Sequence, residues 1–205
     1  MIYQRMFMKK LTLIILTLFP LGLFGQVKAG KIEMTTEFGS ENQELQDLLT
    51  FENIDHYKVR FKGKDLKGKH FSVAVKTLWD GRITRIDTII NTAKEMPPIQ
   101  TDTLTFKVTA KKNALNSLKV LFRFPLFGNE RLYEASDSYD YSLRDIGTKM
   151  DIEVGKAFPA FAYILPYEKD GWKMWCAVDS SGKEVENWGK EFGIKHYLIF
   201  EMKFE

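Results

Sequence analysis

Six basic side chains, Lys58, Arg60, Lys62, Lys64, Lys67 and Lys69, fall within twelve residues that hold a single acid, Asp65. Such a concentration of cations attracts an anionic glycan, a lipid headgroup or an acidic protein surface. Lysines also guard edge strands against pairing with another sheet, and the acids between residues 130 and 153 are available to lie opposite this run. The run therefore reads either as a binding face or as a protected edge. It also reproduces the Gly63 to Gly68-Lys69 spacing of a phosphate-binding loop. That match is a decoy. His70 stands where Ser or Thr would hold magnesium, and FSVAVKT, which follows, has the pattern of a strand instead of a helix whose first amides cradle phosphate.

Aromatic side chains are the second kind of candidate, because tryptophan stacks on sugar rings. Alternation puts Trp172 on an apolar face with Met174, Cys176 and Val178, which predicts a core position, and Trp79 on the face of Val73 and Val75, which predicts partial burial. Trp175 points to the opposite face and Trp188 lies in a polar segment, so these two are the aromatic surface candidates. The expected ligand-binding set is Lys58, Arg60, Lys62, Lys69, Trp175 and Trp188.

Catalytic chemistry has less to work with. Cys176 is the one cysteine. Its apolar face reads as a buried, inert thiol, and no intramolecular disulfide can form. His56, His70 and His196 have no metal-ligand spacing with another His or Cys, and neither HExxH nor GxSxG occurs. Asp137-Ser138-Tyr139-Asp140 offers oxygens for calcium without the glycine of a proper loop, so a turn or exposed edge is the better reading. No metal or cofactor is expected, and no catalytic residue is identified. A glycosidase-like pair of carboxylates about 5 to 10 Å apart is a separate possibility, since sequence alone does not place two acids relative to one another.

The elements that must position these groups are mainly strands. A capping box at Ser40 with Gln43 and Glu44, leading into Leu45, Leu48 and Leu49, predicts one short helix near the N-terminus of the mature chain. Period-two alternation follows. Tyr57, Val59 and Phe61 share one face, against His56, Lys58, Arg60 and Lys62 on the other. Asp80-Gly81 suits the positive dihedrals of a tight hairpin turn. That turn pairs Trp79 with Arg82, Val75 with Ile86 and Phe71 with Ile90, so that Phe71, Val73, Val75, Ile86 and Ile90 share a buried face. Further strands are predicted at Leu104, Phe106 and Val108, and over residues 118–124, 131–139, 158–165, 172–178 and 196–204, the last with Leu198, Phe200, Met202 and Phe204 on one face. Many short strands between Gly, Pro, Asn and Asp turns predict a mainly β protein, an antiparallel β-sandwich with one short N-terminal helix. An open barrel is the alternative. Pro97-Pro98 cannot sit inside a central strand. It could link two domains, but each side would hold few strands with which to close a core, so residues 26–205 are expected to form one domain.

Residues 1–25 read as a signal peptide. Residues 11–24 carry no charge and follow the basic Arg5, Lys9 and Lys10. As a helix those fourteen residues span about 21 Å, short of roughly 30 Å of bilayer hydrocarbon, and Pro20 and Gly22 weaken it. Small residues place cleavage near Gly25, with Ala29 as the other site, and Met6 or Met8 are further possible starts. An uncleaved amphipathic or buried helix is the alternative. No cysteine stands near to take a lipid. The formal charge of +3 belongs to this leader: three of the 30 basic side chains lie in it and no acid does, which leaves 27 basic against 27 acidic. Nucleic acid is therefore not an expected partner, and no stable membrane span follows leader removal.

The leader MKKLTLIILTLFPLGLFGQ and the stretch IDHYKVRFKGKDLKGKHFSVAVKTLWDGRITRIDTII resemble the small exported domains of unknown function carried by gut Bacteroidota. The resemblance implies a periplasmic or secreted location and a β-sandwich, and it supplies no reaction. The leading expectation is an exported, non-enzymatic binding domain for an anionic glycan or an envelope protein. A glycan-directed hydrolase using paired carboxylates and a structural subunit of an envelope assembly are the alternatives. N-terminal sequencing of the exported product is expected to begin close to residue 26; an intact leader on a cytoplasmic protein would contradict export.

Overall fold

A computed structural model describes residues 31–94, 96–175 and 184–205. The chain runs β1 (Glu33–Phe38), α1 (Gln43–Phe51), β2 (Asp55–Lys62), β3 (Phe71–Trp79), β4 (Arg82–Asn91), β5 (Thr103–Lys112), β6 (Ser117–Arg123), β7 (Gly128–Glu134), β8 (Ser142–Asp145), β9 (Phe158–Ile164), β10 (Tyr167–Lys169), β11 (Trp172–Met174), α2 (Trp188–Phe192) and β12 (His196–Phe204). Two antiparallel sheets pack face to face. The first has the order β1-β2-β5-β6-β7 and the second β4-β3-β12-β9-β8, with β10-β11 as a separate hairpin. Pro97-Pro98 lies where the chain crosses from the second sheet to the first. The strands on either side of it pair: Asp55 faces Ala110 and Lys62 faces Thr103.

Alternation builds the core. Tyr57, Val59 and Phe61 of β2, Phe106 and Val108 of β5 and Val120 and Phe122 of β6 turn inward and are buried, against Phe161, Leu198, Phe200 and Phe204 of the second sheet. Rings interlock across the interface, Phe61 with Phe204 at 5.2 Å and Phe122 with Phe200 at 5.3 Å between centroids. Each such ring contributes roughly 1.5 to 3 kcal/mol when fully buried. One flank of the sandwich is stitched by polar groups. Asp55 accepts the Leu143 amide at 2.7 Å, the Tyr57 hydroxyl donates to the Leu143 carbonyl at 3.2 Å, and the Thr36 hydroxyl donates to Asp145.

The Asp80-Gly81 turn forms as expected, both residues at positive φ (48° and 70°), and Trp79 faces Arg82. Further along the hairpin the simple register fails. The pairing slips between Thr77 and Leu78 and again between Val73 and Ala74, leaving Thr84 and Ile89 as extra residues on β4. Each bulge reverses the parity of the strand. Val75 therefore faces Asp87, Val73 faces Ile90, and Ile86 lies opposite Lys76 on the outer face, 59% exposed. Val73 and Val75 are buried as predicted.

Helix α1 is capped by Asn42, whose side chain accepts the Leu45 amide; Ser40 sits before the cap and accepts the Asn42 amide. A second helix, α2, closes the back of the second sheet. Trp188 is buried there at 1% exposure, with Val185 and Ile194, against Leu78 and the outward side of β12. The Tyr197 hydroxyl donates toward the Val185 and Glu186 carbonyls (3.1 and 2.9 Å) and accepts the Gly189 amide (3.2 Å). Lys76 adds ion pairs to Glu186 and Glu201 at 2.6 and 2.7 Å. Gly189 lies so close to Gly81 that a Cβ on it would stand 2.5 Å from the Gly81 Cα. β12 is thus buried on both faces from His196 to Phe200.

Two tryptophans exchange their expected places. Trp172, predicted in the core, is 75% exposed on the β10-β11 hairpin, because that hairpin pairs only with itself. Trp188, predicted on the surface, is buried because α2 folds it onto the second sheet; polar neighbours along the chain are no guide on a short helix. Cys176 and Val178 lie outside the described residues. Trp188→Ala is expected to cost about 3 to 5 kcal/mol in chemical denaturation and Trp172→Ala less than about 0.5 kcal/mol; the reverse order would contradict this packing.

Candidate functional site

The inward residues of the first sheet determine which residues face out. With Val59, Phe106 and Phe122 turned to the core, Lys58, Lys107 and Arg123 turn to solvent. The register sets Glu37 opposite Lys58, Lys58 opposite Lys107 and Lys107 opposite Arg123, one row across four strands. The next row is Thr35, Arg60 and Thr105. Short threonines on both sides of Arg60, with Pro125 beyond the end of β6, leave a hollow of about 580 Å³ in the outer surface of the sheet. Lys62 follows on the same face opposite Glu33 and Thr103.

The charges on this face are poorly compensated. Lys58 pairs with Glu37 at 3.0 Å, and that contact holds its ammonium above the ordinary lysine range. Arg60, Lys107 and Arg123 have no acidic partner within ion-pairing distance among the described residues. Gly128 stands opposite Arg123, and a Cβ there would lie 3.1 Å from the guanidinium, so glycine leaves room for that head to swing over the strand. His56, one row further, meets the Thr109 hydroxyl at 2.8 Å. Burial, then the positive charges of Lys107 and Lys58, hold its pKa below the usual histidine value, so it stays neutral beside the cations.

The expected set divides. Lys58, Arg60 and Lys62 share the outer face of β2. Lys69 lies apart, beyond the turn at Lys64–Leu66, where its carbonyl accepts the Ile99 amide. Trp175 is half-buried, its indole N–H donating to the Asp140 carbonyl at 3.3 Å with Arg144 over its ring. Trp188 is inside. The edge-guard account of the lysines fails, because β2 is paired on both sides. Lys107 and Arg123 were missed, although Phe106 between Leu104 and Val108 already turns Lys107 outward; no pairing register was available to bring it beside Lys58.

Other chemistry resolves into structure. Lys112 donates to the Ser136 and Ser138 carbonyls at 2.6 and 3.0 Å and lies 4.2 Å over the Tyr139 ring, so an ammonium sits among the oxygens of that loop, and Lys173 pairs with Asp140 at 2.6 Å. Among the described residues no three His, Cys, Asp or Glu side chains converge on a metal position. No helix among them is long and apolar enough to cross a membrane. Burial raises the pKa of Asp55 to about 6, as a general acid requires, but its oxygen holds the β8 backbone at the sandwich flank. No family model, curated protein or solved structure matches the chain.

Two buried groups set opposing pH responses. Asp55 rises to about 6 in the folded protein, so its contribution is complete below the unfolded value near 4 and is lost as pH climbs through about 6. His196, fully buried, stacked on Trp79 and 2.6 Å from the Tyr141 hydroxyl, is lowered by burial to about 4; its contribution is complete above about 6.5 and is lost as pH falls through about 4. In the wild type the two offset each other. Asp55→Asn is expected to unmask the histidine, so that thermal stability falls more steeply than in wild type between about pH 6.5 and about pH 4.5. Equal slopes would refute the assignment.

Proposed function

We propose that this chain is an exported, non-enzymatic binding domain that holds an anionic ligand on the outer face of its first sheet, with Arg60, Lys107 and Arg123 as the principal contacts and Lys58 and Lys62 at the rim. One observation carries the reading. Lys58, Lys107 and Arg123 stand directly opposite one another across neighbouring strands, with Glu37 the only acid in the row. Like charges so placed destabilise a sheet, by roughly 0.2 to 1 kcal/mol per pair. An anion that bridges them converts that repulsion into attraction and forms charge-assisted hydrogen bonds, which are stronger than neutral ones. The hollow beside Arg60 gives such a ligand depth as well as charge. Export rests on the leader, and a periplasmic or secreted setting agrees with the resemblance to exported Bacteroidota domains.

Replacing Arg60 and Lys107 by Glu is expected to weaken capture on immobilised dextran sulfate by at least about tenfold, at roughly 1.5 kcal/mol or more for each charged contact. The melting temperature should not fall, since both side chains face solvent and neither has an acidic partner within ion-pairing distance among the described residues. Undiminished capture by the double variant would remove the site.

A further inference from the structure

Beside the basic hollow, a second depression of about 230 Å³ opens between residues 96–101 and 124–127. The two share Thr105, Phe124 and Pro125 as lining, so they adjoin around the start of β5. Its walls are apolar: Phe71, Ile99, Leu104, Phe124 and Phe127, with Leu126 at the rim, 79% exposed. Phe124 stacks on Phe127 at 4.7 Å and lies 5.1 Å from Phe71, which makes one side a rigid aromatic wall.

Many of the groove's polar groups are already engaged. Pro97, Pro98 and Pro125 carry no amide hydrogen. The Ile99 amide goes to the Lys69 carbonyl and the Phe124 amide to the Phe127 carbonyl. The Thr92 hydroxyl is engaged with both backbone groups of Phe71, the Thr101 hydroxyl with the Thr103 carbonyl, and the Gln100 amide with the Pro98 carbonyl. A peptide laid here would have to find partners for its amides among the few groups that remain, at a cost of about a hydrogen bond for each left unmade. A hydrocarbon chain incurs no such penalty.

Resting on the anion-binding reading above, we infer that the ligand is a single-chain anionic amphiphile, whose charged head lies on Arg60, Lys107 and Arg123 and whose acyl or alkyl chain follows Pro125 into the groove between Ile99, Leu104 and Phe127. The groove's size suits one chain, and the cations next to its mouth supply the complement to one head.

The test compares titration calorimetry of the purified protein with ethyl phosphate, octyl phosphate, dodecyl phosphate and neutral dodecyl maltoside, all below their micelle concentrations. Affinity should climb from ethyl to octyl phosphate by about two- to fourfold for each methylene buried, and dodecyl maltoside should bind at least about tenfold more weakly than dodecyl phosphate. Leu126→Asn, a neutral change at an exposed position, should flatten the dependence on chain length while dextran sulfate capture persists. Equal affinity for ethyl and dodecyl phosphate, with dextran sulfate still captured, overturns the chain-binding groove and leaves the anion site standing. Equal affinity for dodecyl phosphate and dodecyl maltoside overturns the coupling of head to groove. Loss of dextran sulfate capture in the wild type removes the anion site itself, and this inference with it.

Discussion

The outer face of the first sheet depends on a register that is held from the inner face. Phe61, Phe106 and Phe122 must sit between the sheets, where they meet Phe204 and Phe200, and each has a charged neighbour one residue away in the chain. A slip of one residue in β5 would take Phe106 into water and Lys107 into the core. Burying an unpaired ammonium costs several kcal/mol, far more than neighbouring cations lose by repulsion. The aromatic core can therefore hold Lys58, Lys107 and Arg123 in line against their mutual repulsion. The row is a consequence of packing on one side of a pleated surface, expressed as electrostatics on the other.

The two sheets are not equivalent, and the difference leaves one face available. The second sheet is covered in part: Trp188, Val185 and Ile194 are buried in the segment that closes over β12, Tyr197 ties its hydroxyl to that segment, and Lys76 binds Glu186. The Gly81 to Gly189 contact lets the β3-β4 turn and α2 close to backbone distance. The hollow over the first sheet retains its cations facing solvent. Polar stitching through Asp55, Tyr57 and Thr36 fixes the flank where β8 meets β1 and β2.

Much of this was legible before the fold was known. Alternation in β2, β3, β5 and β12 marked the inward residues, and Asp80-Gly81 marked its turn, because both signals are local. The candidate site was half legible. Lys58, Arg60 and Lys62 lie on one strand and declare themselves by charge, whereas Lys107 and Arg123 join them only through pairing between strands far apart in sequence. The bulges at Thr84 and Ile89 had no mark either, and the one at Thr84 turned Ile86 outward. Trp172 was misplaced because period-two parity predicts burial only where a strand has a second layer against it, and Trp188 because its polar neighbours along the chain hid a short helix. The β10-β11 hairpin has no such pairing with either sheet, and α2 is not a strand. The apolar groove arises where two loops distant in sequence meet, which no periodicity reports.

The central claim, that an ordered core holds like charges together on the opposite face, is tested most directly by thermal unfolding of Lys107→Gln without added anion. Removing the middle charge of the row should raise the melting temperature by about 1 to 3 °C at low ionic strength, and about 1 M salt should abolish the gain by screening. A melting temperature that falls, or a gain that survives high salt, would contradict it.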